Sequence, residues 1–226
     1  RASKTYIAGD DDQAIFKWAG ADVDHFIALK EEVDDIQTLN QSYRIPGGPI
    51  HELSQNIINK VQNRFDKEYK PRDEMGILKR YSDITQVDMS KGNWLVLSSA
   101  NYFLDDAKDL CEIQGWYYQF KGMNSVSLKL LLALNNWEQW RKGELLNHLE
   151  IKNIYEYLGS SVVPGFQKGK TLHSDTKYKI EECQKDHGLI TSAVWFDAFE
   201  GLDPITETYI RNMRANGEMI NKNPRI

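Results

Sequence analysis

Three consecutive aspartates behind a glycine constrain this chain more than any other feature. In Gly9-Asp10-Asp11-Asp12-Gln13-Ala14-Ile15-Phe16-Lys17-Trp18-Ala19-Gly20-Ala21, a strand read over Thr5 to Ala8 ends in a turn holding three carboxylates and one amide. Two aromatics at spacing two then precede Gly20. An amide such as Gln13 both donates and accepts hydrogen bonds, so it can hold a terminal phosphate oxygen and a water together. Phe16 and Trp18 offer flat apolar faces to unpaired bases, and such stacking contributes about 1–3 kcal/mol per base whatever the sequence. Read this way, the stretch is where a polyphosphate meets a base. The same residues also suit a solvated turn followed by core aromatics.

Composition narrows the class. The 226 residues allow one large domain or two small ones, and 41% hydrophobic with 27% charged residues is ordinary for a globular protein rather than a disordered one. A net charge of −5 disfavours a passive binder held by a broad basic field, so any nucleic-acid contact has to be local. Cys111 and Cys183 belong to no CxxC or Cys/His cluster, which indicates neither a zinc site nor a disulfide framework. Cys111 shares an apolar helix face with Ala107 and Leu110 and is expected in the core; a reducing cytoplasm is the expected location. The apolar run Leu130 to Leu134 is far short of the roughly 20 residues of a membrane span, and no signal-peptide pattern is read, so no membrane partner is expected.

Along the chain, Val23 to Val33 has helical spacing with Asp22 as N-cap. Ile36 to Leu39 reads as a short buried strand delivering Tyr43 and Arg44 to its end. Pro46-Gly47-Gly48-Pro49 resets the chain before a helix from Ile50 to about Phe65, with Ile50, Leu53, Ile57, Ile58 and Val61 on one packing face. Lys67 to Arg72 reads as a solvated loop or a phosphate-touching basic segment. Asn93 to Ser98 reads as a buried strand; a helix from Tyr102 to Ile113 follows, stopped by Gly115, and then a strand from Trp116 to Phe120, together a parallel crossover unit. From Asn124 the pattern is helical: Ser125 to Arg141, Glu144 to Leu158, Asp175 to His187, Ser192 to Phe199, and Pro204 to Ala215 with Asp203 as N-cap. Trp137, Trp140 and Trp195 are expected to fill helix contacts. Gly169-Lys170-Thr171 looks like the tail of a P-loop, but Pro164 stands where the motif requires glycine and no strand precedes it.

GDDDQAIFKWAGAD closely resembles motif III of the UvrD/Rep family of superfamily-one DNA helicases, and Leu39-Asn40-Gln41-Ser42-Tyr43-Arg44 resembles its motif IV, in the family's order and at about its spacing. The resemblance implies an α/β fold: a partial RecA-like (P-loop NTPase type) parallel-sheet core with a mostly helical inserted subdomain. It divides the chain into the end of a first core domain (1–35), the first part of a second core domain (36–123), a helical accessory subdomain (124–222) and a return strand (223–226). Because the sequence does not open on methionine and both ends fall next to expected strands, it is expected to be an excerpt of a longer polypeptide.

By the same resemblance, Gln13 and Arg44 contact the γ-phosphate of ATP and serve as the catalytic residues, Tyr43 lies against adenine, and Phe16 and Trp18 contact DNA. ATP and Mg²⁺ are the implied cofactors of the full-length enzyme, with no metal held by this portion. Single-stranded DNA and single/double-strand junctions are the implied partners, with 3′ to 5′ movement. The P-loop, the magnesium-binding DExx motif and the later motifs are not among these residues, so the portion alone is expected to be inactive. Ala19 departs from the family's arginine, Phe16 from its tyrosine, and Ile45-Pro46 from its small hydroxyl residues. An ATP-driven translocase joined to a nuclease, or a non-catalytic DNA-binding scaffold retaining the fold, are the alternatives.

Overall fold

Proline and glycine at 46–49 place a chain reversal between a strand and a helix, and the first part of the chain is built around that reversal. In the computed structural model, which describes residues 4–14, 20, 22–163, 169–190, 192–218 and 223–226, the chain forms two compact units, 1–80 and 81–226. The division falls inside the span 36–123. The architecture is mixed α/β with small sheets of two strands each, one of them parallel.

In the first unit, α1 (Val23–Ala28) begins at Asp22, whose side chain accepts from the His25 N–H. β1 (Gln41–Gly47) crosses through α2 (Pro49–Ile58) to β2 (Lys70–Met75), which lies parallel to it. The strand expected at Ile36 to Leu39 therefore lies further along, where the Lys70 N–H bonds the Asn40 carbonyl and the Gly76 N–H bonds the Gly47 carbonyl. Thr5 to Ala8 is not a strand either. α2 stops at Ile58 rather than Phe65 because Arg64 and the Phe65 N–H are engaged by the aspartates of the 10–12 turn, contacts that a continuing helix would forbid. Its expected packing face stays largely open, with Leu53, Ile57 and Val61 exposed.

The second unit holds the core. α3 (Asp105–Gln114), the two-residue strands β3 (Gln119–Phe120) and β4 (Met123–Asn124), α4 (Leu128–Arg141), β5 (Leu146–Asn147), α5 (His148–Tyr155), β6 (Lys177–Tyr178), α6 (Ile180–Asp186), α7 (Trp195–Ala198) and α8 (Pro204–Ala215) follow in order. Trp137 and Trp140 are fully buried, and each indole N–H is satisfied, by the Ala193 and Tyr178 carbonyls. Trp195 and Cys111 are also in the core. Asn147 and Glu150 form a capping box that starts α5 at His148 rather than at Glu144.

The expected crossover at 93–120 is only partly formed. Asn93 to Ser98 is not a strand: its Trp94 N–H bonds the Arg225 carbonyl, but Leu95 and Leu97 remain about 80% exposed. A strand exists by virtue of its ladder, and this apolar run finds too little of one. The terminal residues join the same region, with Arg225 N–H to the Tyr117 carbonyl and Gln119 N–H to the Ile226 carbonyl. No helix among the described residues is long and apolar enough to cross a membrane.

Candidate functional site

The 10–13 turn is built by its own aspartates. Asp10 is the N-cap of a single 3₁₀ turn, Asp11–Gln13, and its Oδ1 accepts from the Asp12 N–H at 3.2 Å. The three carboxylates bring ligand atoms within 4.8 Å of one another, a spacing that would suit a divalent cation. The cationic partners are protein groups instead. Lys67 Nζ donates to Asp10 at 2.6 Å and to Asp11, and lies 3.2 Å from Asp12. Arg64 makes a two-pronged pair with Asp12, Nε to Oδ1 at 3.0 Å and Nη2 to Oδ2 at 2.9 Å. The Phe65 N–H donates to Asp11 at 2.6 Å. With two cations inserted among three carboxylates, this donor set does not fit a resident magnesium ion.

Burial alone would push the Asp10 and Asp11 carboxyls up, but hydrogen bonds, those from Lys67 foremost, outweigh it and hold both below the usual carboxylate range. Burial likewise pulls the Lys67 ammonium down, and the three aspartates more than reverse that, leaving it above the usual lysine range. Lys67 is thus neither a solvated loop residue nor a free phosphate contact.

Beside this network lies a cleft of about 690 Å³ lined by Gln13, Tyr43, Arg44, Gln55 and Tyr69 together with Asp10 and Asp12. Such a volume is in the range of small-molecule sites, about 300–1,000 Å³. Tyr43 and Arg44 reach it because β1 bulges: the register runs from Gln41 opposite Lys70 to Pro46 opposite Arg72, so β1 carries extra residues across that interval. Ser42 Oγ pins the bulge by accepting from the Arg44 and Ile45 N–H groups at 3.3 and 3.0 Å. The Tyr43 ring is exposed, and the Arg44 guanidinium has no ion pair or hydrogen bond among the described residues. Among the described residues Arg44 is the one cation lining the cleft, and the two carboxylates that also line it, Asp10 and Asp12, are already paired with Lys67 and Arg64.

Gln13, Tyr43 and Arg44 therefore share one cleft, while Phe16 and Trp18 lie outside the described residues. The pairing of Arg64 and Lys67 with the aspartates was not legible in the sequence, where Lys67 reads only as part of a basic segment; its one signal was opposite charge, 52 to 57 residues away. The P-loop lookalike is a turn in which Thr171 Oγ1 bonds His187 Nδ1 at 2.7 Å, with no helix opening from it. No family model matches the chain, and no curated protein or solved structure matches it.

Proposed function

We propose that this chain is the middle portion of an ATP-dependent DNA helicase of the UvrD/Rep type, with a RecA-like second core domain interrupted by a helical accessory subdomain. The cleft receives the triphosphate of ATP. Arg44, a rigid fork of donors, meets the γ-phosphate oxygens; Gln13 works at the same phosphate from the other motif; Tyr43 covers adenine. Phe16 and Trp18 stack on single-stranded bases, so that closure about the nucleotide moves the strand 3′ to 5′ in the cytoplasm. The P-loop lysine and the Mg²⁺ ligands belong to motifs absent from these 226 residues.

One observation carries the reading: residues of two motifs about 30 positions apart line a single cleft in which, among the described residues, Arg44 is the one lining cation and has no ion pair. The exposed apolar runs at 53–61 and 95–97 agree with a chain that packs against more protein. In a polypeptide carrying this chain together with a P-loop and magnesium motif, Arg44→Ala lowers DNA-stimulated phosphate release by about 10³-fold or more while single-strand binding persists. Trp18→Ala instead weakens single-strand binding by about 1–3 kcal/mol. The 226 residues alone release no phosphate. Undiminished turnover by Arg44→Ala, or turnover by the 226 residues alone, refutes the reading.

A further inference from the structure

We propose that Lys67, acting through Asp10, is a positioning residue that fixes which end of the Gln13 amide is presented to the nucleotide; this rests on the reading of the cleft as a triphosphate site. Gln13 Nε2 donates to Asp10 Oδ2 at 2.7 Å, while Asp10 Oδ1 accepts from Lys67 Nζ at 2.6 Å. An ionised carboxylate can only accept. Asp10 therefore takes the nitrogen end of the amide and leaves Oε1 as the uncommitted end, since Gln13 makes no other side-chain hydrogen bond among the described residues. A carbonyl oxygen at the cleft accepts from a water and cannot donate to phosphate. Gln13 is thereby set to turn Oε1 toward the attacking water, while its second N–H stays available to a γ-phosphate oxygen.

Lys67 is what keeps this arrangement one-sided. Asp10 is partly buried beside Asp11 and Asp12, surroundings that favour its protonated form, and Lys67 opposes that. A protonated or amide side chain at position 10 could donate as well as accept, and would hold Gln13 in either orientation. Arg64 anchors the neighbouring Asp12, which holds the 3₁₀ turn in register with the segment bearing Lys67.

The test is steady-state phosphate release in the polypeptide carrying the complete motif set. Asp10→Asn, which keeps an N-cap oxygen on the turn and leaves Lys67 two carboxylates, and Lys67→Met each lower kcat, by about 10²-fold for a misplaced catalytic group, with KM for ATP unchanged; Lys67→Arg restores most of the rate. A folded Asp10→Asn with unchanged kcat, while Gln13→Ala is defective, overturns the positioning role and leaves the nucleotide reading standing. A rise in KM with kcat unchanged overturns it too. If Gln13→Ala and Arg44→Ala both turn over normally, the nucleotide reading itself has failed. Should Lys67→Met not fold, Asp10→Asn decides.

Discussion

Lys67 sits where desolvation and attraction oppose each other, and the outcome sets a pH dependence. The folded-state values of Asp10 and Asp11 lie below their ordinary 3.8, so their ionised forms add stability above that value and lose it as pH falls through the folded values. Lys67, raised above its ordinary 10.5, contributes fully below that value and loses its contribution only as pH rises through the higher folded one. The first unit is accordingly expected to hold its urea midpoint from about pH 5 to 9 and to weaken below about pH 4, read by amide exchange at 41–47 and 70–75. Lys67→Met removes one partner from a nearly buried set and costs this unit about 3–5 kcal/mol at neutral pH. A midpoint in that variant equal to the parent's would mean that Arg64 alone holds the carboxylates.

Among the elements, the helix ends set by a local cap were legible and the strands were not, for a common reason. Asp22, Asp203 with Pro204, and Gly115 act on backbone groups within a few residues, and each caps its helix as the sequence suggests. Strands depend on a ladder from elsewhere: 41–47 acquired one from 70–75, whereas 36–39 and 93–98 did not. The site divides in the same way. Gln13, Tyr43 and Arg44 stood out through local motifs, whereas Lys67 and Arg64 emerge only when the chain brings residue 67 back to residue 10. Gly115 carries a long-range demand as well. Its φ is +69°, and a Cβ there would lie 2.3 Å from the Asn212 carbonyl carbon on α8, too close for side-chain adjustment to relieve. Gly115→Ala therefore combines left-handed strain with a backbone clash and should destabilise the second unit by about 3 kcal/mol, measured as a lower urea midpoint. Asn212→Ala in the same background should recover little, because the obstacle is backbone.

Over the whole molecule, apolar burial is divided unequally. No hydrophobic residue described in 4–80 is buried; the first unit rests on its two-stranded ladder, the aspartate network and an edge-on pair, Phe26 against Phe65. The second unit buries Trp137, Trp140, Tyr155, Ile151 and Leu134 in one continuous cluster. Hydrophobic burial is the dominant favourable contribution to folding, at about 25 cal/mol per Å², so the two units should not lose structure together. The thiols report on the second: Cys111 and Cys183 are buried there, and burial pushes both up to about 12, which leaves almost no thiolate at pH 8 while that unit is closed. In a urea series at pH 8, amide protection at 41–47 and 70–75 should disappear at a lower concentration than the one at which both cysteines become open to alkylation. Coincident transitions would show instead that the first unit draws its stability from the second, and the ladder and charge network could then no longer be credited with holding it.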